Sequence, residues 1–165
     1  MKVLGVDPGT RATGYGLVEK CGTRHRLLEC GVIRPGADAD LTARLLAIHR
    51  GLQELLDRWE PGCVAIEGVF MGRNARSAMV LGHARGVAVL TAALSGIEVA
   101  EYPPADIRKT VVGRGSATKL QVAFMVQKHL GLREPPHPSD AADGCAVALC
   151  HLLRGSHPAL KGALP

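Results

Sequence analysis

Aromatic residues are scarce in this chain of 165 residues, of which phenylalanine, tryptophan and tyrosine make up 3%. No stretch approaches the roughly 18 uninterrupted apolar residues that a membrane-spanning helix needs. The sequence begins directly on a strand pattern, without the basic region and apolar core of a signal peptide. These absences predict a cytoplasmic protein with no membrane association. They also make any exposed aromatic side chain a candidate for function.

Cysteine usage and charge narrow the class further. The five cysteines are odd in number and include no Cys-x-x-Cys pair, which argues against a zinc site or a disulfide framework and favours reduced thiols. Lys and Arg number 20 against 15 Asp and Glu, and the net charge of +5 suits a polyanionic partner such as nucleic acid. With 47% hydrophobic residues the chain can bury one core. We therefore place a single domain at residues 1–154 and a disordered tail at 155–165.

The period of the apolar pattern changes along the chain. Short apolar or alternating stretches predict strands at residues 2–7, 13–18, 26–33, 63–66 and 97–102. Helical spacing and cap signals predict helices at residues 40–60, 74–94, 103–112, 118–130 and 140–153. The fourth helix opens with a capping box, Thr118 to Gln121. This order predicts an α/β fold, a mixed five-stranded sheet flanked by helices, whose first three strands form an antiparallel meander.

The helix at 74–94 is rich in small residues. Gly82 and Gly86 lie four apart and would let another backbone approach closely. That backbone could belong to a second subunit or to the same chain, and the sequence leaves both open.

Two of the predicted buried strands end on an acid. Asp7 closes the first strand, and Glu67 closes the strand at 63–66. A charge there is costly unless it is paired or coordinated, and open α/β sheets place their sites at the carboxyl ends of strands. The structural alternative for Asp7 is an Asx turn that accepts from the amides of Gly9 and Thr10.

The last helix opens with two further acids. Asp140 and Asp143 are neighbours on one helical face. Both lie off the stripe that we predict to be core, which consists of Ala142, Ala146, Leu149 and Leu153. The alternative is that the two acids only complement the helix dipole behind an N-cap at Ser139.

The four acids together predict a metal site. Two like charges ~4 Å apart repel by ~4 kcal/mol at an effective dielectric of 20, so a cluster of them either takes up protons or binds cations. Carboxylates without Cys or His are the ligands that Mg²⁺ or Mn²⁺ prefers. Two such ions about 3.5–4 Å apart can clamp a phosphodiester. An acidic centre in a basic molecule therefore predicts a nuclease.

Several longer motifs occur in a fixed order. They are Gly5-Val-Asp-Pro-Gly9 with Thr13-Gly-Tyr-Gly16, Ala65-Ile-Glu67 with Val69-Phe70, Leu81-Gly82 with Ala84-Arg-Gly86, Thr110-Val-Val-Gly113 with Gly115-Ser116, and Asp140-Ala-Ala-Asp143. Through them residues 1–154 resemble the RuvC family of Holliday junction resolvases, within the ribonuclease H-like superfamily. The resemblance implies a structure-selective endodeoxyribonuclease of recombination and DNA repair.

The resemblance also implies the chemistry. Asp7, Glu67, Asp140 and Asp143 match the family's catalytic acids, which hold Mg²⁺ or Mn²⁺, two ions per site. Water attacks the scissile phosphate in line, leaving 5′-phosphate and 3′-hydroxyl ends. Some members of the family carry His at the position of Asp140.

The DNA contacts implied by the resemblance involve one aromatic and several cations. Phe70 matches an aromatic that inserts among bases near the cut, and the alternative is a core Phe. Stacking of this kind contributes ~1–3 kcal/mol per base. The basic candidates are Arg73, Arg76, Arg108, Arg114 and Lys119, for each of which a solvated side chain is the alternative. Gly68 stands where relatives often have Gln, which puts that contact in doubt.

The family is homodimeric, with the helix near 74–94 at the interface. A two-fold dimer suits a four-way junction because two symmetric nicks are needed. The family also works with the RuvA–RuvB branch-migration complex, so both are expected partners.

Rival interpretations remain at this point. Asp7-Pro-Gly-Thr10 also looks like the first phosphate motif of actin-like ATPases and sugar kinases, but those need a second lobe, and no GxxxxGK[ST] loop is present. A YqgF-type nuclease opens with a similar strand. A junction-binding module that does not cut is the alternative outside enzymology.

Overall fold

The computed structural model describes residues 1–68 and 75–155, the side chains of residues 75–77 excepted. The strands are β1 (Lys2–Asp7), β2 (Thr13–Cys21), β3 (Arg24–Ile33), β4 (Cys63–Glu67) and β5 (Glu98–Tyr102). The helices are α1 (Leu41–Trp59), α2 (Ala75–Leu94), α3 (Pro104–Val112), α4 (Lys119–Leu130) and α5 (Ser139–Arg154). Each predicted element is present in the predicted order. The strand predicted at 13–18 extends to Cys21, and the predicted tail lies outside the described residues from 156 on.

The five strands form one mixed sheet in the order β3-β2-β1-β4-β5. β1, β2 and β3 pair antiparallel, as the predicted meander requires, because short turns join them. β4 pairs parallel to β1 and β5 pairs parallel to β4, each after a helical crossover. The carboxyl ends of β1, β4 and β5 therefore lie at the same edge of the sheet.

Side chains alternate between the two faces of the sheet, so the strands supply two cores. On one face Leu4, Val6 and Ile66 pack with α1 and α2. On the other face Val3 and Ala65 pack with α3, α4 and α5. The sheet is thus covered by helices on both sides, as predicted.

The helix α5 lies unusually close to the sheet. A Cβ atom on Gly14 of β2 would overlap the backbone carbonyl oxygen of Asp140, so only glycine allows this approach. Every residue from Ala141 to Leu152 except Asp143 is buried. The predicted stripe was therefore too narrow in α5, and it was wrong at Leu153, which is 38% exposed near the end of the helix.

The start of α5 also differs from the prediction. Pro138 occupies the N-cap position without a side-chain cap, and Ser139 is the first helical residue. By contrast, the capping box of α4 is confirmed: Thr118 Oγ1 accepts from the Gln121 amide, and Gln121 Oε1 accepts from the Thr118 amide. This cap fixes Lys119 as the first residue of α4.

The expectations about thiols and membranes can also be compared with the structure. All five cysteines are free thiols, and Cys63, Cys145 and Cys150 are buried. In the part of the chain that is described, no helix has the length and apolarity needed to cross a bilayer.

Candidate active site

Asp7 and Glu67 lie side by side at the carboxyl edge of the sheet. Val6 of β1 pairs with Ile66 of β4, and the two acids are the next residues of these parallel strands. The loop after Asp7 is closed by Thr13, whose hydroxyl donates to the Gly9 carbonyl oxygen at 2.7 Å. The Gly9 amide, which the Asx-turn alternative assigned to Asp7, lies 3.4 Å from the Thr13 hydroxyl.

The two acids line a pocket with residues of α3, α4 and α5. Its volume is about 180 Å³. Its charged lining consists of Asp7, Glu67, Asp143, Arg108 and Lys119. Its remaining lining consists of Pro104, Ile107, Val122 and Ala146. Residues from five separate elements therefore meet here, and five of the ten predicted site residues are among them.

The pocket raises the pKa values of its two strand acids. Burial, followed by the negative charge of Asp143, raises the pKa of Asp7 to about 6. Burial, followed by the charges of Asp7 and Asp143, raises the pKa of Glu67 to about 7. Lys119 opposes both shifts and Arg108 opposes that of Glu67. Among the described residues that line the pocket, three acids thus face two cations.

Lys119 contacts the acids directly. Its Nζ donates to Asp143 Oδ2 at 2.7 Å. This hydrogen bond raises the pKa of Lys119, with further contributions from the charges of Asp143, Asp7 and Asp140. The Lys119 side chain is 75% exposed, whereas that of Asp143 is 15% exposed. The cation thus reaches inward from solvent to a carboxylate held in the protein.

Arg108 links the pocket to the basic loop between α3 and α4. Its Nε donates to the carbonyl oxygen of Gly115 at 2.8 Å. Gly113 ends α3 in the left-handed region, with φ of 95°, which a residue with a side chain rarely adopts. Arg114 follows on this loop and is exposed. Arg108 therefore both faces the acids and holds the loop that carries Arg114.

Asp140 is not among the described residues that line the pocket. It lies one turn earlier in α5, over Gly14, and its Oδ2 is 3.7 Å from an Nη of Arg34. Its charge still contributes to the raised pKa of Asp7. We did not predict Arg34 from the sequence. The signal that could have found it is its position directly after β3. In the antiparallel meander, the end of β3 lies beside the start of β2, which in turn lies beside the end of β1, where Asp7 is.

Three of the predicted DNA contacts lie outside the described part of the structure. Phe70 and Arg73 lie outside the described residues, and Arg76 lies in α2 with its side chain outside them. Gly68 is described: its amide donates to the Tyr102 carbonyl oxygen at 2.9 Å. A Cβ atom there would come no closer than 3.5 Å to that oxygen, so the backbone does not require glycine.

The donor set fits a hard divalent cation by its chemistry. All the acids are oxygen donors, and they repel one another in a half-buried pocket that favours added positive charge. Within residues 1–68 and 75–155, however, no three Asp, Glu, His or Cys side chains stand close enough together to hold a metal ion as placed. Ligation would therefore require side chains to move from these positions.

This sheet order, with carboxylates gathered where β1 and β4 end, defines a nuclease of the ribonuclease H-like class. The chain belongs to the RuvC family, because the family model "Crossover junction endodeoxyribonuclease RuvC" matches residues 3–151. Nucleases of this family are metal-dependent.

Relatives and a solved structure agree with this assignment. Proteins described as crossover junction endodeoxyribonuclease RuvC from Syntrophomonas wolfei subsp. wolfei and Desulforamulus reducens are 48% and 45% identical to this chain. Each alignment covers 92% of this chain, and they cover 88% and 93% of the relatives. The structure of T. thermophilus RuvC in complex with Holliday junction substrate is 36% identical, with a TM-score of 0.87, covering 93% of this chain and 94% of that one.

Proposed function

We propose that this protein is an endodeoxyribonuclease that resolves Holliday junctions by paired symmetric nicks, leaving 5′-phosphate and 3′-hydroxyl ends. The observation that carries the proposal is the pocket in which Asp7, Glu67 and Asp143 meet Arg108 and Lys119. Family membership supports the same function, as does the likeness to a RuvC bound to its junction substrate. The work of such an enzyme lies in recombination and DNA repair in the cytoplasm.

The catalytic acids in this proposal are Asp7, Glu67, Asp140 and Asp143, of which all but Asp140 are among the described residues that line the pocket. They would hold Mg²⁺ or Mn²⁺, two ions per site. When bound, such ions activate water for in-line attack and neutralise charge on the leaving oxygen. Half-buried carboxylates suit this task, because burial and the charges of neighbouring acids raise the pKa values of Asp7 and Glu67, and a bound cation would offset both effects.

The cations around the pocket have a separate role. Arg108 and Lys119 lie where a phosphate that approaches the acids would need its charge balanced. Arg114 extends this surface along the loop that Arg108 holds. Phe70, Arg73 and Arg76 complete the proposed DNA contacts, in the segment that follows Glu67 in the chain. In this proposal the basic and aromatic residues position the phosphodiester, and the acids would hold the metal ions that activate water for its hydrolysis.

A homodimer is proposed through α2. Apart from the backbone of α2 itself, a Cβ atom built on Gly82 or Gly86 would meet no atom of the described residues within 4 Å, so packing against those residues does not explain these glycines. Met79, Leu90 and Leu94 on the same helix are exposed. This apolar face suits a second copy of the chain, which would supply the second of two symmetric nicks. The RuvA–RuvB complex is the proposed partner in the cell.

The deciding experiment uses Asp7→Asn with a mobile four-way junction and Mg²⁺. The variant removes one ligand charge and leaves the basic surface unchanged. We expect cleavage to be abolished and junction binding to persist, as measured by nicked products and by gel shift. Loss of binding together with cleavage would count against the ligand role. Binding by the wild-type protein without any nicks would favour the non-cutting module.

The aromatic contact has its own test. Phe70→Ala should lower the cleavage rate more than the affinity for the junction, because stacking near the cut helps to present the phosphate. An unchanged rate would favour the alternative that Phe70 is a core residue. Phe124→Ala, on the outer face of α4, is a matched control, because it removes a 51% exposed ring that does not line the pocket.

A further inference from the structure

Lys119 is hydrogen-bonded to Asp143, a carboxylate that the proposed metal site would use as a ligand. Its Nζ lies 2.7 Å from Asp143 Oδ2, a charge-assisted hydrogen bond. In the described part of the chain this is the shortest ion pair within the pocket. An ammonium and a divalent cation compete for the same oxygen lone pairs. One carboxylate oxygen of Asp143 is therefore taken in the form of the protein described above.

We propose that Lys119 is an internal counter-ion that leaves Asp143 when a divalent cation binds, and that this exchange frees its ammonium to bind the DNA backbone. The proposal rests on the proposed function of the pocket as a metal-dependent nuclease site. It adds a role to Lys119 that DNA contact alone does not give.

The two partners of this ion pair differ in their freedom to move. Asp143 belongs to α5. Its neighbours in the chain, Ala142 and Gly144, are buried against the sheet. The Lys119 side chain is 75% exposed, so its flexible stem can swing without disturbing the core. Because Lys119 opens α4 behind a formed capping box, its backbone stays in place during that swing. The side chain that leaves Asp143 in this exchange is therefore an exposed one.

The exchange couples metal binding to DNA binding. In the free protein a metal ion must displace Lys119, which weakens its binding. Once displaced, the ammonium no longer neutralises Asp143 and becomes available to a phosphate. By reciprocity, the metal ion tightens DNA binding by the same factor by which DNA tightens metal binding. Removal of Lys119 should weaken this coupling.

The first experiment measures Mn²⁺ binding without DNA, by calorimetry, to the full chain and its variants. Lys119→Gln should bind Mn²⁺ about 2- to 10-fold more tightly than the wild-type protein, since a partly exposed ion pair no longer has to be broken. The matched control is Lys128→Gln, which removes the same charge nine residues later in α4, where Nζ lies 5.1 Å from the centroid of the Phe124 ring. The control should change the affinity far less.

The second experiment measures the coupling. Junction affinity is determined with and without Ca²⁺, another hard cation that takes oxygen ligands, and only uncut junctions are scored. Ca²⁺ should tighten binding by the wild-type protein and by Lys128→Gln more than binding by Lys119→Gln. Equal tightening in all three proteins would overturn the exchange.

The outcomes separate this proposal from the function on which it rests. If the wild-type protein binds no Mn²⁺, or if Asp7→Asn binds it as well as the wild-type protein does, the proposed metal site itself is wrong. If Mn²⁺ binding depends on Asp7 but is equal or weaker in Lys119→Gln, the metal site stands and the counter-ion role is overturned. Circular dichroism at the titration temperature confirms that each variant is folded.

Discussion

The helices α5 and α2 lie on opposite faces of one sheet, and both are rich in small residues. In α5 the small residues bring backbones into contact, as at Gly144, where a Cβ atom would overlap the backbone of Tyr15. In α2 a Cβ atom at Gly82 or Gly86 would meet nothing within 4 Å among the described residues outside the helix itself, and Leu94 of the same helix is 70% exposed. The same composition thus serves internal packing on one side and leaves an apolar face uncovered on the other.

The two faces of the sheet also differ in their electrostatics. On the α5 face, close packing holds Asp143 against the ends of β1 and β4, and like charges come together at the expense of stability. On the α2 face, a long-range ion pair joins Arg85 of α2 to Glu101 of β5, so these two opposite charges compensate each other. The acidic pocket is therefore dominated by repulsion between like charges, whereas the proposed subunit contact depends on exposed apolar surface.

The largest effect is expected on the closely packed side of this comparison, at the contact between β2 and α5. Gly14→Ala places a Cβ atom on the carbonyl oxygen of Asp140, a backbone atom that cannot rotate away. We expect a loss of about 2–3 kcal/mol in the free energy of unfolding, measured by urea denaturation. Gly36→Ala is the control, because a Cβ atom at Gly36 meets nothing within 4 Å of the described residues. Equal midpoints for the two variants would contradict the close approach.

A smaller effect of opposite sign is expected at the acidic pocket. Without metal at pH 8, Asp7 is ionised although its folded pKa is about 6. Asp7→Asn removes that penalty and should raise the free energy of unfolding by on the order of 1–3 kcal/mol. Mg²⁺ should stabilise the wild-type protein more than the variant. A destabilised variant would show that the Asp7 charge is already well compensated.

The pH dependence of stability follows from the same shifts. The pKa values of Asp7 and Glu67 are raised on folding, to about 6 and about 7, so the folded state binds more protons than the unfolded chain. The contribution of these two groups is fully present below about pH 4 and is lost as the pH rises through 6 to 7. Thermal melts of the metal-free protein should show this loss, and Asp7→Asn should show less of it. Metal binding should strengthen over the same interval, because deprotonated carboxylates are required.

The smallest effect on stability is expected at α2. Gly86→Leu fills open space and replaces glycine by a better helix former, so the fold should gain about 0.5–1 kcal/mol or stay unchanged. If α2 is the subunit contact, the same side chain obstructs close approach and the dimer should dissociate, as measured by analytical ultracentrifugation. Gly36→Leu is the matched control. A stable dimer of Gly86→Leu would move the interface elsewhere.

The local signals in the sequence carried much of the fold. Periodicity and cap residues predicted every element, and the capping box before Lys119 formed as predicted. The errors arose where tertiary packing overrides a local pattern. Pro138 replaced Ser139 as the N-cap of α5, and burial of α5 on nearly all sides made a stripe analysis misleading at Leu153.

The sequence determined that Asp7 and Glu67 would share one edge, because both close buried strands that proved to be parallel neighbours. Only the tertiary structure decided that Asp143 joins them while Asp140 lies beside Arg34, since that depends on how closely α5 sits on Gly14. It also decided that Lys119 contacts an acid and that no other element of the described structure packs against Gly82 and Gly86. Contacts between residues far apart in sequence arise from the packing of whole elements, which no local pattern encodes.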